Sequence, residues 1–186
     1  MKRRVPLLAC ALLAGLGTML PPLAVPAAAQ SSNDQRAATR ERLRTFLATN
    51  GPRHDVNIEF RQSDKNPWNF VGVARGLTNS DLLEVVVQVS ENNTLAVVVY
   101  PHYHGGYINV GKARDPSGLM HKLLNLNDHN FFYWGADDTD DIFACYNFTL
   151  ESGFPDQSLL VALTSIRAQD QFIAGMAPYI GGTGGK

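Results

Sequence analysis

Apolar residues recur along this chain with two different periods, and the changes of period mark its elements. Between Ala37 and Thr49, Leu43, Phe46 and Leu47 fall on one helical face while Arg40, Arg42 and Arg44 lie off it. Asn50-Gly51-Pro52 then predicts a stop, with Gly51 in a left-handed cap and Pro52 unable to continue the turn. From Val56 the period becomes two. Val56, Ile58 and Phe60 alternate with Asn57, Glu59 and Arg61, and a second extended run begins at Phe70 after the turn-rich stretch 62–69.

Leu82 to Val89 and Thr94 to Tyr100 are β-branched runs joined by Ser90-Glu91-Asn92-Asn93, which predicts an antiparallel hairpin. Leu83, Val85, Val87 and Val89 form one face of its first strand, and Glu84, Val86 and Gln88 the other. In the second strand Leu95, Val97 and Val99 oppose Ala96, Val98 and Tyr100. Both faces are largely apolar, so the hairpin is expected to be central or covered on two sides. A loop rich in His and Tyr follows from Pro101 to Pro116. Asp115, Pro116 and Ser117 open a helix over Leu119–Leu126, and Asn125, Asn127 and Asn130 suit a left-handed exit. Phe131 to Trp134 and Ile142 to Leu150 read as a second hairpin across an acidic turn at 137–141. Last comes a single long helix, capped by Asp156, in which Leu159, Leu160, Leu163, Ile166, Ile173, Met176 and Ile180 recur at helical spacing. The order α-β-β-β-β-α-β-β-α predicts an α+β fold, one antiparallel sheet flanked by helices.

The amino end adds location. Lys2, Arg3 and Arg4 precede an apolar run from Val5 to Leu20, and Ala27-Ala28-Ala29 offers a small-residue cleavage site. The run is interrupted by Pro21-Pro22 and falls short of the roughly 20 residues a span requires. Residues 1–29 are therefore expected to be a signal peptide, 30–36 a disordered leader, 37–180 the folded domain and 181–186 a flexible Gly-rich tail. The mature protein would be periplasmic or secreted, with no membrane span after cleavage. Removing residues 1–29 takes away three basic residues and no acid, which leaves thirteen basic residues against seventeen acids and a formal charge of −4. Such a surface suits no nucleic acid, because phosphate neutralisation needs a basic one. Cys10 leaves with the leader, so Cys145 stands alone and an intramolecular disulfide is excluded.

The element order, with Leu123-Leu124-Asn125-Leu126-Asn127 leading into Phe131-Phe132-Tyr133-Trp134 and Leu150-Glu151-Ser152-Gly153 leading into the last helix, resembles the YbjN family of bacterial sensory transduction regulators. The likeness covers roughly 38–178. It implies a fold similar to type III secretion chaperones, one that often dimerises and holds extended partner segments. It implies no catalytic residue and no cofactor.

Four groups of residues carry candidate chemistry. His102 and His104 are spaced to project from one side of an extended segment and form a candidate metal pair, although a zinc site normally uses three or four protein ligands. The acids between Asp137 and Asp141 have hard oxygen ligands for calcium but lack the glycine and the bidentate Glu of an EF-hand, so a charged hairpin turn is the simpler reading. Cys145 has no activating neighbour, which leaves a structural thiol or an intermolecular disulfide. No nucleophile elbow, phosphate-binding Gly loop or HExxH occurs. Finally Trp68, Phe70, Val86, Val98, Tyr100, Tyr103 and Tyr107 form a candidate partner surface, since aromatic residues are enriched at interfaces. The competing expectation is that the final helix covers those strands within one chain. The functional expectation is a non-enzymatic binding or regulatory domain acting on a protein or peptide, and able to form a homodimer. The alternative is a small metal-binding protein or metal-dependent enzyme centred on His102 and His104.

Overall fold

The computed structural model describes residues 27–181; the expected signal sequence up to Pro26 and the tail 182–186 lie outside the described residues. The fold is α+β, with a seven-stranded antiparallel sheet and, among the described residues, four α-helices. Helix α1 (Ala27–Asn50) leads into β1 (Arg61–Gln62), β2 (Asn69–Ala74), β3 (Leu82–Val89), β4 (Leu95–Tyr103) and β5 (Gly106–Tyr107). Then come α2 (Pro116–Asn127), β6 (Tyr133–Ala136), β7 (Ile142–Phe148), α3 (Asp156–Ser165) and α4 (Asp170–Ile180). The sheet runs β1-β2-β3-β4-β7-β6, with β5 folded back on the end of β4. No helix among the described residues is long and apolar enough to cross a membrane.

One side of the sheet is the core. Leu83, Val85, Val87 and Val89 of β3, with Val97 and Val99 of β4, are buried against Leu43 and Leu47 of α1, Leu119 and Leu123 of α2, Leu159 and Leu163 of α3, and Ile173 and Met176 of α4. The strict alternation of β3 is what makes this work: every second side chain points to the same face. At roughly 25 cal/mol per Å² of apolar surface removed from water, this layer is the main stabilising term.

Several expectations need correction. Helix α1 starts at Ala27 and so includes residues 30–36, read as leader; nothing between Gln30 and Arg36 breaks a helix, and the Arg36 guanidinium donates to the Val89 carbonyl at 2.8 Å. Gly51 is not left-handed. It is needed because the chain returns over it: a Cβ there would sit 2.4 Å from the Ile58 carbonyl oxygen, while the Ile58 N–H donates to the Gly51 carbonyl at 2.8 Å. The strand expected from Val56 shrinks to Arg61–Gln62, since Val56 and Ile58 are buried without joining the ladder. Ile58 crosses β2 where a Cβ on Gly72 would meet its Cγ2 at 2.4 Å. Instead of a loop at 101–107, β4 continues to Tyr103 and turns at His104 and Gly105, with φ of 54° and 87°, the paired positive angles of a hairpin turn.

The long final helix is two helices joined by a 3₁₀ turn at Arg167–Gln169. The break occurs where side chains leave the helix to hold the β2–β3 loop: Arg167 donates to the carbonyls of Arg75 and Gly76, and Asp170 accepts from residues 78–80. Asp156 caps nothing and instead pairs with Arg42 at 2.6 Å. Asp115 does cap α2, accepting from the Gly118 N–H at 2.9 Å with Pro116 in the first turn. The asparagines after α2 make no left-handed exit; Asn130 donates to the Leu126 carbonyl and Asn127 clamps β6.

Candidate functional site

The side of the sheet opposite the core has a second, smaller apolar cluster. Ala96, Val98 and Cys145 are buried there, packed by Val86, Tyr100 and Phe143, and no helix residue belongs to it among the described residues. The register explains its shape. Arg61, Val71, Val86, Val98, Cys145 and Tyr133 are paired in turn across six strands, giving one continuous row on the uncovered face. Beside it, Val73 pairs with Glu84 and Glu84 with Tyr100. A further step along the strands, Leu82 pairs with His102, and His102 with Tyr107. The hairpin is central, as expected, but among the described residues helices cover one of its faces only.

Aromatic rings gather over the second and third rows. Tyr100 meets Tyr107 edge-on at 5.8 Å between centroids and Phe143 at 6.0 Å; Phe143 meets Tyr133 edge-on at 6.2 Å. Tyr107 and Tyr133 are each 42% exposed, high for such large rings. Carboxylates border them. The Tyr107 hydroxyl donates to Glu84 at 2.8 Å, and Asp137 lies by the hydroxyl of Tyr100. Burial, followed by Asp137 for Tyr100 and by Glu84 for Tyr107, pushes both phenols up to about 12. Burial and then the Cys145 thiol raise Tyr133 in the same direction.

Of the residues singled out from the sequence, the fold brings Val86, Val98, Tyr100 and Tyr107 together here. Trp68, Phe70 and Tyr103 belong to the other side. Phe70 is 3% exposed in the main core, and Trp68 and Tyr103 pack against that core. Trp68 lies beneath two guanidiniums, Arg36 at 4.0 Å and Arg40 at 5.0 Å from its ring. Glu84, Phe143 and Tyr133 were not singled out, and Asp137 only as part of the acidic turn. Glu84 and Phe143 have a sequence signal, the parity they share with Val86 and with Cys145; Asp137 comes near Tyr100 only through the pairing of β4 with β7.

His102 and His104 do not converge. His102 stacks on Tyr107 at 4.1 Å, with Nε2 3.6 Å from Glu84 and without a hydrogen-bond partner, while His104 sits at the hairpin turn against Tyr103 at 4.2 Å. Among the described residues no three His, Cys, Asp or Glu side chains form a group able to hold a metal ion. In the acidic turn, carboxylates are engaged internally. Asp137 accepts from the Thr139 N–H and hydroxyl and from the Asp141 N–H, and Asn109 donates to Asp141. Burial works against the Asp137 charge, yet these bonds hold it below the usual carboxylate range. Cys145 is 3% exposed and its thiol is pushed up by burial.

No protein-family model matches this chain, and no curated protein matches its sequence.

Proposed function

We propose that this protein is a non-enzymatic, extracytoplasmic binding or regulatory domain of the YbjN type, which holds a protein or peptide segment against the uncovered face of its sheet. The supporting observation is the asymmetry of coverage. Four helices pack on one face, whereas the other presents a row of valines and a tier of half-buried aromatics with no helix over them among the described residues. An apolar, aromatic surface with a polar margin is the composition of a protein interface rather than of a solvated sheet. The leader-like amino end supports action outside the cytoplasm.

The test is site-specific photocrosslinking in cells that make the full chain. A benzophenone side chain in place of Val86 on the open face is expected to capture a polypeptide, while the same group in place of Val161, 52% exposed on α3, captures none. Equal capture from both positions, or none from Val86, removes this reading.

A further inference from the structure

We propose that the open face takes a cationic segment of a polypeptide partner, with arginine or lysine side chains lying over Tyr100, Tyr107 and Phe143 between the carboxylates of Glu84 and Asp137. This rests on the docking surface proposed above and names the chemistry of its partner.

Three observations carry it. First, the rings meet one another at 5.8–6.0 Å in edge-on and tilted contacts, and a cation within about 6 Å of a ring centroid is attracted by the ring quadrupole. Second, the carboxylates bordering the rings carry negative charge, with His102, its Nε2 3.6 Å from Glu84, the titratable group of the opposite sense beside them. Glu84 stands opposite Tyr100 in the register with 29% of its side chain exposed, and Asp137 opens the acidic turn that ends at Asp141. The sheet's own cation on this face, Arg61, stands at the far edge in β1 and pairs with Asp64. Third, Asp137 and Asp141 contribute to the raised ionisation of Tyr100, and Glu84 and Asp141 to that of Tyr107, after the larger effect of burial. A negative potential that opposes a phenolate favours a cation at the same place.

The same protein contains an internal precedent. On the opposite side of the fold Arg36 lies 4.0 Å over Trp68, the kind of stacked guanidinium that the open face lacks among the described residues. The half-buried Val71 and Val86 beside the rings give an extended chain an apolar floor, so a polypeptide with alternating cationic and apolar residues fits better than an isolated amine. Arginine is favoured over lysine, because its planar guanidinium stacks on rings and reaches a carboxylate with two donors.

The experiment uses the processed full chain and a fluorescein-labelled peptide, Gly-Arg-Leu-Arg-Leu-Arg-Gly, followed by anisotropy, with its Lys-for-Arg and Glu-for-Arg versions alongside. The expected order is Arg tighter than Lys, with no binding of the Glu peptide and weakening by salt. Combining Glu84→Gln with Asp137→Asn is expected to weaken the Arg peptide about tenfold, the loss typical of a cation deprived of its carboxylates. Phe143→Leu is the second variant; it removes the ring while keeping an apolar side chain, and is expected to weaken the Arg peptide while leaving the melting temperature within a few degrees. Equal binding of Arg and Glu peptides, or unchanged affinity in the charge variant, overturns the proposal. If the Val86 crosslinker captures a polypeptide that the Arg peptide does not displace, the cationic partner falls and the docking face stands. Capture of a second copy of this chain assigns the face to a homodimer and also overturns it; no capture removes the docking reading itself.

Discussion

The side chain of Asn127, the last residue of α2, is hydrogen-bonded to both backbone groups of Trp134 in β6: its amide nitrogen donates to the Trp134 carbonyl at 3.1 Å, and its amide oxygen accepts from the Trp134 N–H. Strand β6 is the outer strand of the sheet beyond β7. Asn127 thus occupies backbone groups that would otherwise be open to another strand, a built-in guard against edge-to-edge association. Asn127→Ala is expected to cost about 1–3 kcal/mol, the loss for partly buried groups left unpaired. Denaturant midpoints measure the cost, and light scattering is expected to show association of the variant at concentrations where the parent protein is unaffected. An unchanged midpoint would show that water replaces the amide without loss.

Asp170 makes acid stability predictable. Its carboxylate accepts from the Ser80 hydroxyl at 2.6 Å, from the backbone N–H groups of Thr78 and Asn79, and from the Asn79 amide. Burial opposes its charge, but Ser80 and the backbone donors outweigh that and lower its pKa. A carboxylate lowered in the folded state contributes stability that is complete above its unfolded value, about 3.9, and is lost as pH falls through the lower folded value. Unfolding free energy is therefore expected to fall below about pH 4, and Asp170→Asn to remove roughly 2 kcal/mol at neutral pH while flattening that acid dependence. An acid dependence identical in variant and parent would assign it to other groups.

Arg36 links α1 to the sheet twice, through its stack on Trp68 and its bond to the Val89 carbonyl. Trp68 and Trp134 are the two tryptophans of the chain, so a Trp134→Phe background leaves emission from Trp68 alone. Arg36→Gln in that background is expected to shift the emission and lower stability by about 1 kcal/mol, the scale of one half-exposed cation–π contact with its hydrogen bond. No spectral change would mean the guanidinium does not stay on the ring in solution.

Cys145 is enclosed and its thiol held above its ordinary value by burial. Thiolate is the reactive species, so the native protein is expected to resist Ellman's reagent and to release one equivalent only in denaturant. Prompt reaction of the native protein, or a dimer on a non-reducing gel, would place the sulfur within reach of a partner.

Much of the fold was legible because local signals agreed with one another. Alternation in Leu82–Val89 separated its two faces without saying which one is core, and the Asp115-Pro116 start of α2 and the acidic hairpin turn followed from residues close in sequence. What was missed depends on long reach or on parity. Asp170 and Ser80 are 90 residues apart, so nothing near either showed that the last helix would break to let one hold the other. Trp68 and Phe70 look like company for Tyr100, but Val71 is the residue registered with Val86, and one position of offset sends Phe70 to the opposite face. The open face itself was half visible: its valines and tyrosines, and the parity of Glu84, are in the sequence, while the placing of Asp137 beside Tyr100 depends on the pairing of β4 with β7.

That pairing also sets a folding order. β7 is wedged between β4 and β6, although β6 precedes it in the chain. The central meander can assemble first from its short connections, but the sheet's far edge must wait for the later hairpin to arrive and dock whole. Loop closure across α2 is then expected to be the slow step, with the flank of β4 bare until it happens. A chain caught at that stage displays the strand that any chaperone of its unfolded form would have to shield.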